Sequence, residues 1–100
     1  MPIHAMIDLE TLATDPHATI LTIGGVKFNP YTSDEPTSEF YFKLDVDEQV
    51  KLCRTQDPGT IDWWSKQDPR IMEEAFGEED RVGLKHFLSH MTKWMVGVDV

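Results

Sequence analysis

One stretch limits what this chain can become more than any other: the apolar run Ile3-His4-Ala5-Met6-Ile7, which passes directly into Asp8-Leu9-Glu10-Thr11. Side chains of an extended strand alternate between faces, so Asp8 and Glu10 point the same way with Cα atoms roughly 6.5 Å apart. Like charges held that close raise at least one pKa unless a cation neutralises them. The spacing therefore points to a Mg²⁺ or Mn²⁺ site at a strand end. Asp45 with Asp47 and Glu78 with Asp80 have the same spacing, but they sit in polar, loop-like stretches where solvated charge is the default. What distinguishes Asp8 and Glu10 is the preceding run, which reads as a strand buried on both faces.

A chain of 100 residues has room for one small domain, spanning 1–100, and one core. Its 40% hydrophobic content excludes wholesale disorder. No apolar run approaches the roughly twenty residues that cross a bilayer, and no charged-then-apolar leader opens the chain, so a cytoplasmic protein without a membrane partner is expected. The single cysteine, Cys53, offers neither a disulfide nor a thiolate metal site and reads as a small, partly buried hydrophobe. A formal net charge of −9 argues against simple electrostatic binding of nucleic acid. It leaves room for a metal-dependent nuclease, because bound cations reverse the local field.

Beyond Thr11, the segment Leu12 to Ala18 with its Asp15-Pro16 pair reads as a loop. Thr19 to Phe28 is a second strand rich in β-branched residues. Its Gly24-Gly25 pair allows either a hairpin turn or one continuous strand with a bulge or close backbone approach. The continuous strand is preferred, since a turn leaves Val26-Lys27-Phe28 too short to pair. Asn29 to Pro36 is an exposed turn cluster. Ser38 to Leu44 alternates, with Phe40, Phe42 and Leu44 on one face and Glu39, Tyr41 and Lys43 on the other, predicting a half-buried strand antiparallel to its predecessor. Together the three strands predict a meander.

After Asp45 the pattern fits a short helix only weakly. Thr60 is the expected N-cap of a helix over Ile61 to Gln67, following a turn at Asp57-Pro58-Gly59. Asp68-Pro69 opens the next helix, Arg70 to Phe76. Leu84, Phe87, Leu88, Met91, Trp94 and Met95 then form one apolar helical stripe, with His86, His90 and Lys93 opposite. The two histidines, four apart, could share a metal, but Phe87 stands where H-E-x-x-H needs its glutamate, so a solvated helix face is the preferred reading. Val98-Asp99-Val100 reads as the start of a further strand. Trp63 and Trp64 point about 100° apart on a helix, so one can enter the core while the other lines a groove and stacks on a base, and core packing is the competing reading for each.

The order Met6-Ile7-Asp8-Leu9-Glu10-Thr11, then Ala18 to Phe28 with its Ile23-Gly24 pair, then Thr60-Ile61-Asp62-Trp63-Trp64 followed by Gln67, resembles the N-terminal half of the DEDD-type 3'-5' exonucleases. The pattern is most similar to phage exonuclease A and the related 3'-5' exoribonuclease-like group. The resemblance implies an α/β, ribonuclease H-like mixed sheet, with three antiparallel strands followed by helices and the next strand parallel beside the first. It implies that Asp8 and Glu10 are catalytic and bind the two Mg²⁺ or Mn²⁺ ions, and that Thr11 and Leu12 contact the terminal nucleotide. Of the tryptophans, Trp64 is assigned to the nucleic acid. The substrate is then a single-stranded DNA or RNA 3' end, cleaved by two-metal-ion phosphodiester hydrolysis.

The departure from the family pattern lies downstream. Two further aspartates and a histidine or tyrosine belong after the helix ending near Met95, and Asp99 comes too early to match the first of them. The chain is thus expected to be the N-terminal portion of an exonuclease domain, with weak metal affinity alone, and with an incompletely covered Leu84–Met95 stripe that favours a homodimer or a complementing chain. Two other readings stand beside this one. The first is a non-catalytic acidic interaction module on the same half-fold. The second is a haloacid dehalogenase-like phosphatase, ranked lower because that family wants an aspartate where Glu10 stands.

Overall fold

The computed structural model describes residues 3–32 and 35–99, so Ser33 and Asp34 of the expected turn cluster and Val100 of the expected last strand lie outside the described residues. Strands β1 (His4–Thr11), β2 (Ile20–Phe28) and β3 (Ser38–Leu44) form the expected antiparallel meander, in the order β1-β2-β3. Strand β2 runs unbroken through Gly24-Gly25. A Cβ on Gly25 would come within 2.5 Å of Phe40 Cε2 and 2.9 Å of Ile7 Cδ1, so glycine lets the flanking side chains close over the strand.

One irregularity aims the site. Glu10 lies opposite Thr22 and Thr11 opposite Ile20, which leaves Leu21 as an extra residue in β2. Such a bulge turns neighbouring side chains toward one face. Leu21 is fully buried against Leu12, Trp64 and Ala75, while Thr22 opens onto the same side as Glu10.

The helices start where aspartate and proline dictate. Helix α2 spans Pro58–Ser65 and is capped by Asp57, not by Thr60: the Thr60 amide and hydroxyl both donate to Asp57 Oδ2, at 2.9 and 3.0 Å. A carboxylate cap followed by proline at the first helical position outcompetes the threonine three residues on. The same device opens α3 (Pro69–Phe76) at Asp68, as expected. The weakly patterned stretch after Asp45 is a short helix, α1 (Val46–Lys51), with Asp45 Oδ1 accepting from the Glu48 amide. Helix α1 carries the fully buried Gln49, whose amide group pairs reciprocally with the Ile20 backbone at 2.7 and 2.8 Å.

A fourth strand without a counterpart in the sequence pattern, β4 (Arg81–Val82), joins the sheet parallel to β3. It is fixed there by Arg81, whose guanidinium donates to the carbonyls of Leu21, Leu44 and Ala75 at 2.6–3.0 Å and so ties β2, β3 and α3 together. Beside β1 the described chain makes one such contact, the Asp99 amide donating to the Ile3 carbonyl at 2.8 Å.

Helix α4 (Leu84–Trp94) lays its stripe on Ile23, Phe40, Phe42 and Leu44. Phe87 and Trp94 are buried there, so the stripe is largely covered by the sheet, with Leu88 left exposed at its margin. His86 and His90 are exposed but rest edge-on against the Phe42 ring, at 6.0 and 5.0 Å, rather than standing wholly in solvent. The expectation that β1 is buried on both faces is overturned: Met6 is 63% and Leu9 45% exposed. Strand β1 lies at the end of the sheet order, and α4 packs over β3 instead. Cys53 is exposed as well, on a tight turn with φ of 60°. Among the described residues, no helix is long and apolar enough to cross a membrane.

Candidate active site

Asp8 and Glu10 share one face of β1 and line a cleft of about 720 Å³ between the sheet and α2–α3. The floor is set by strand register. Asp8 lies opposite Gly24, and Gly24 opposite Tyr41, so a residue without a side chain separates a carboxylate from a phenol. The far wall comes from Trp63, Arg70, Ile71 and Glu74 on the two helices. Asp8 is exposed and Glu10 half-buried.

Electrostatics mark the acid pair as unneutralised. Burial first, and then the neighbouring Asp8 carboxylate, push the Glu10 carboxyl above its ordinary range. Among the described residues the ion pairs are Lys66–Asp62 and Arg70–Asp68, and neither involves Asp8 or Glu10. The donor set is two hard carboxylate oxygens at a cleft floor, which suits a cation that keeps several waters and takes its remaining ligands from substrate phosphates. Among the described residues no group of three or more His, Cys, Asp or Glu side chains is gathered as a metal cage, His86 and His90 included.

The residues expected at the nucleic acid fall into different surroundings. Trp64 is 3% exposed, packs against Leu21 and Ala75, and donates from Nε1 to the Thr11 carbonyl at 2.9 Å. Its work is to fasten α2 to the end of β1. Trp63 is the tryptophan that offers an accessible ring, at 54% exposure, standing edge-on to Trp64 with centroids 5.0 Å apart. Leu12 is likewise a core residue, with its amide donating to the Thr19 carbonyl and its own carbonyl accepting from Asp57. Thr11 stays half-buried beside the acids, its hydroxyl donating to the Ala13 carbonyl at 2.7 Å. A second groove of about 460 Å³ runs past Thr11 and shares Glu10, Trp63 and Trp64 with the first.

Tyr41 and Glu74 are the cleft residues that sequence reasoning missed. The Tyr41 hydroxyl donates to Glu74 Oε1 at 2.5 Å across 33 residues of chain. Partial desolvation, the bond to Glu74 and that carboxylate's charge together push the Tyr41 phenol up to about 12, against a hydrogen bond with the Thr22 side chain and the charge of Arg81. Tyr41 is visible in the sequence as an outward residue of an alternating strand, but nothing local couples it to Glu74.

A family model for the 3'-5' exoribonuclease Rv2179c-like domain matches residues 3–99. The chain belongs to this family. It is a 3'-5' exonuclease-type domain of the nuclease class, and the match spans both the acid pair and the helices that wall its cleft. No curated protein and no solved structure matches it. The phosphatase reading gives way to this assignment.

Proposed function

We propose that this exoribonuclease-like domain supplies one wall of a DEDD-type, ribonuclease H-like active centre that removes nucleotides from single-stranded 3' ends. The observation that carries the reading is the convergence of Asp8 and Glu10 on an open cleft, with no cation among the described residues paired to them. Bound Mg²⁺ or Mn²⁺ at such a pair activates water and stabilises the leaving oxygen of an in-line phosphodiester displacement. Asp8, the more exposed of the two, lines both the cleft and the strip beyond Gly24 and would be one of the residues that hold the ions. Glu10, half-buried, would be the second carboxylate to hold them. Trp63 takes the stacking role assigned from sequence to Trp64, a contact worth about 1–3 kcal/mol per base where it forms. Thr11 lines the groove through which the strand leaves.

Titrating Mn²⁺ while following thermal unfolding tests the metal site. A ligand that binds only the folded state raises stability by about 2.7 kcal/mol at a hundredfold excess over its Kd. The wild-type chain is expected to gain Tm with Mn²⁺ and Asp8→Ala to lose that gain. A wild-type Tm indifferent to Mn²⁺ would replace the exonuclease reading with the acidic interaction module.

A further inference from the structure

Strand β1 stands at one end of the sheet order, so one of its two edges meets no other strand among the described residues. Backbone groups of successive strand residues point alternately to the two edges. The even residues address β2, a pattern the Leu12 amide continues by donating to the Thr19 carbonyl. The odd residues face outward, since the Ile3 carbonyl accepts from the Asp99 amide and the Thr11 carbonyl from Trp64 Nε1. These two contacts occupy the ends of the outer edge. Between them, the amides and carbonyls of Ala5, Ile7 and Leu9 have no partner among the described residues.

An open edge is a template for another strand, and proteins commonly block it with lysine, proline or a bulge. Strand β1 contains neither lysine nor proline, and the extra residue at its one irregularity lies in β2. Ile7 and Leu9 are exposed on the face that carries Ala5 against the core beneath α4, and Met6 is exposed on the face of the acids.

The segment that fits this edge is β1 itself. The open window is centred on Ile7. A second β1 running antiparallel about a two-fold axis at Ile7 matches Ala5 with Leu9 and Ile7 with Ile7, so each open amide meets an open carbonyl. The same register sets Glu10 opposite His4 of the second copy, whose ring is already fixed edge-on to Phe28 and Tyr31. Asp8 then lies opposite Met6. Charge-complementary and apolar cross-strand pairs favour this arrangement. Sliding one strand by two residues sets Asp8 against Asp8, and Ala5 against Thr11, whose carbonyl already serves Trp64.

We propose that β1 is an interface for a second copy of this chain, which pairs antiparallel about Ile7 and joins the two sheets into one. The contact uses the same patch on both copies and closes at the dimer. It is independent of the exonuclease reading. The two Asp8 residues stand diagonally across the axis, roughly 7–8 Å apart, and each copy carries a net charge of −9. Added salt screens both repulsions and tightens the association.

Sedimentation equilibrium of the wild type, Ile7→Lys and Met6→Lys, with thermal unfolding of each and amide hydrogen exchange of the wild type, tests the interface. The wild type is expected to dimerise, more tightly as salt is added. Ile7→Lys sets two lysines face to face on the axis and weakens the dimer about tenfold, whereas Met6→Lys stands opposite Asp8 of the second copy and strengthens it about fivefold. A cross-link reads the register even where a lysine variant fails to fold. In a Cys53→Ser background, Ile7→Cys brings the two Cα atoms to about 5.5 Å, within disulfide range, and Leu9→Cys holds them roughly 14 Å apart. Oxidation is expected to join the first and not the second. A wild type that stays monomeric overturns the proposal, and so does a dimer equally tight in folded Ile7→Lys. Cross-linking of Leu9→Cys as readily as of Ile7→Cys overturns it as well. A monomer whose Ala5, Ile7 and Leu9 amides exchange slowly overturns it in favour of another segment of the chain on this edge.

Discussion

The two faces of the sheet are built from the same strands and come out differently. Toward α4, β3 offers Phe40 and Phe42, which meet Phe87 and Trp94 in a cluster of rings, Phe40 and Trp94 lying 4.7 Å apart and nearly perpendicular. Toward α2–α3 the intervening residue of that strand is Tyr41, and its neighbours in register are Gly24 and Asp8. One face is filled to contact; the other keeps a cleft of about 720 Å³ floored by a glycine and edged with carboxylates. Period-two alternation lets a single strand serve both purposes. The contrast teaches that the α4 face is packed throughout, while on the opposite face a second buried cluster of Leu12, Leu21, Trp64 and Ala75 holds α2–α3 and leaves the rest free to hold unneutralised charge.

The largest effect that sharpens this contrast lies in the tryptophans. Trp94→Ala removes a buried ring, its Nε1 bond to Ser38 Oγ and the Lys27 ammonium stacked 4.9 Å above it, and is expected to cost about 3–5 kcal/mol in urea unfolding. Trp63→Ala on the cleft side should stay within about 0.5 kcal/mol in the same experiment. Comparable losses at both positions would break the division between faces.

The adjacent glycines give the next largest difference. Gly25 faces the ring cluster, where an added methyl collides with Phe40, so Gly25→Ala is expected to destabilise by about 1–3 kcal/mol. Gly24 faces the cleft, and Gly24→Ala should be neutral or stabilise by up to about 1 kcal/mol, because alanine restricts the unfolded chain and meets only ordinary contacts. Chemical denaturation midpoints of the two variants decide it, and an order reversed from this one would contradict the packing described.

The smallest effect is a pH dependence at Glu10. Its carboxyl is raised in the folded state above the ordinary value of 4.5. Proton binding therefore favours the folded chain, with the full contribution present below about that pH. As pH rises through the folded pKa the metal-free protein loses that contribution. Stability curves measured in EDTA should show this decline in the wild type and a flatter course in Glu10→Gln. An identical slope in both would place the origin of the shift elsewhere.

Much of this was legible in the residues. The alternation of Ser38 to Leu44 fixed β3 to the residue, and Asp68-Pro69 fixed the start of α3, because each depends only on local chemistry. The two acids were placed on one face for the same reason. What failed depended on distant packing. The run before Asp8 is as apolar as a central strand, yet its burial is decided by where the other elements pack, which no local pattern records. Which tryptophan faces outward depends on the phase of α2, and hence on a start at Asp57-Pro58 that looked like an ordinary turn. Arg81 carries no local sign of its role, because its three carbonyl partners come from positions 6, 37 and 60 residues away.

The unequal exposure of the three tryptophans equips the protein with a reporter of its own. A collisional quencher such as acrylamide reaches the indole of Trp63 and is shut out from those of Trp64 and Trp94, which are 3% and 7% exposed. The quenchable share of the intrinsic emission is then a direct optical signal of whether the cleft is filled.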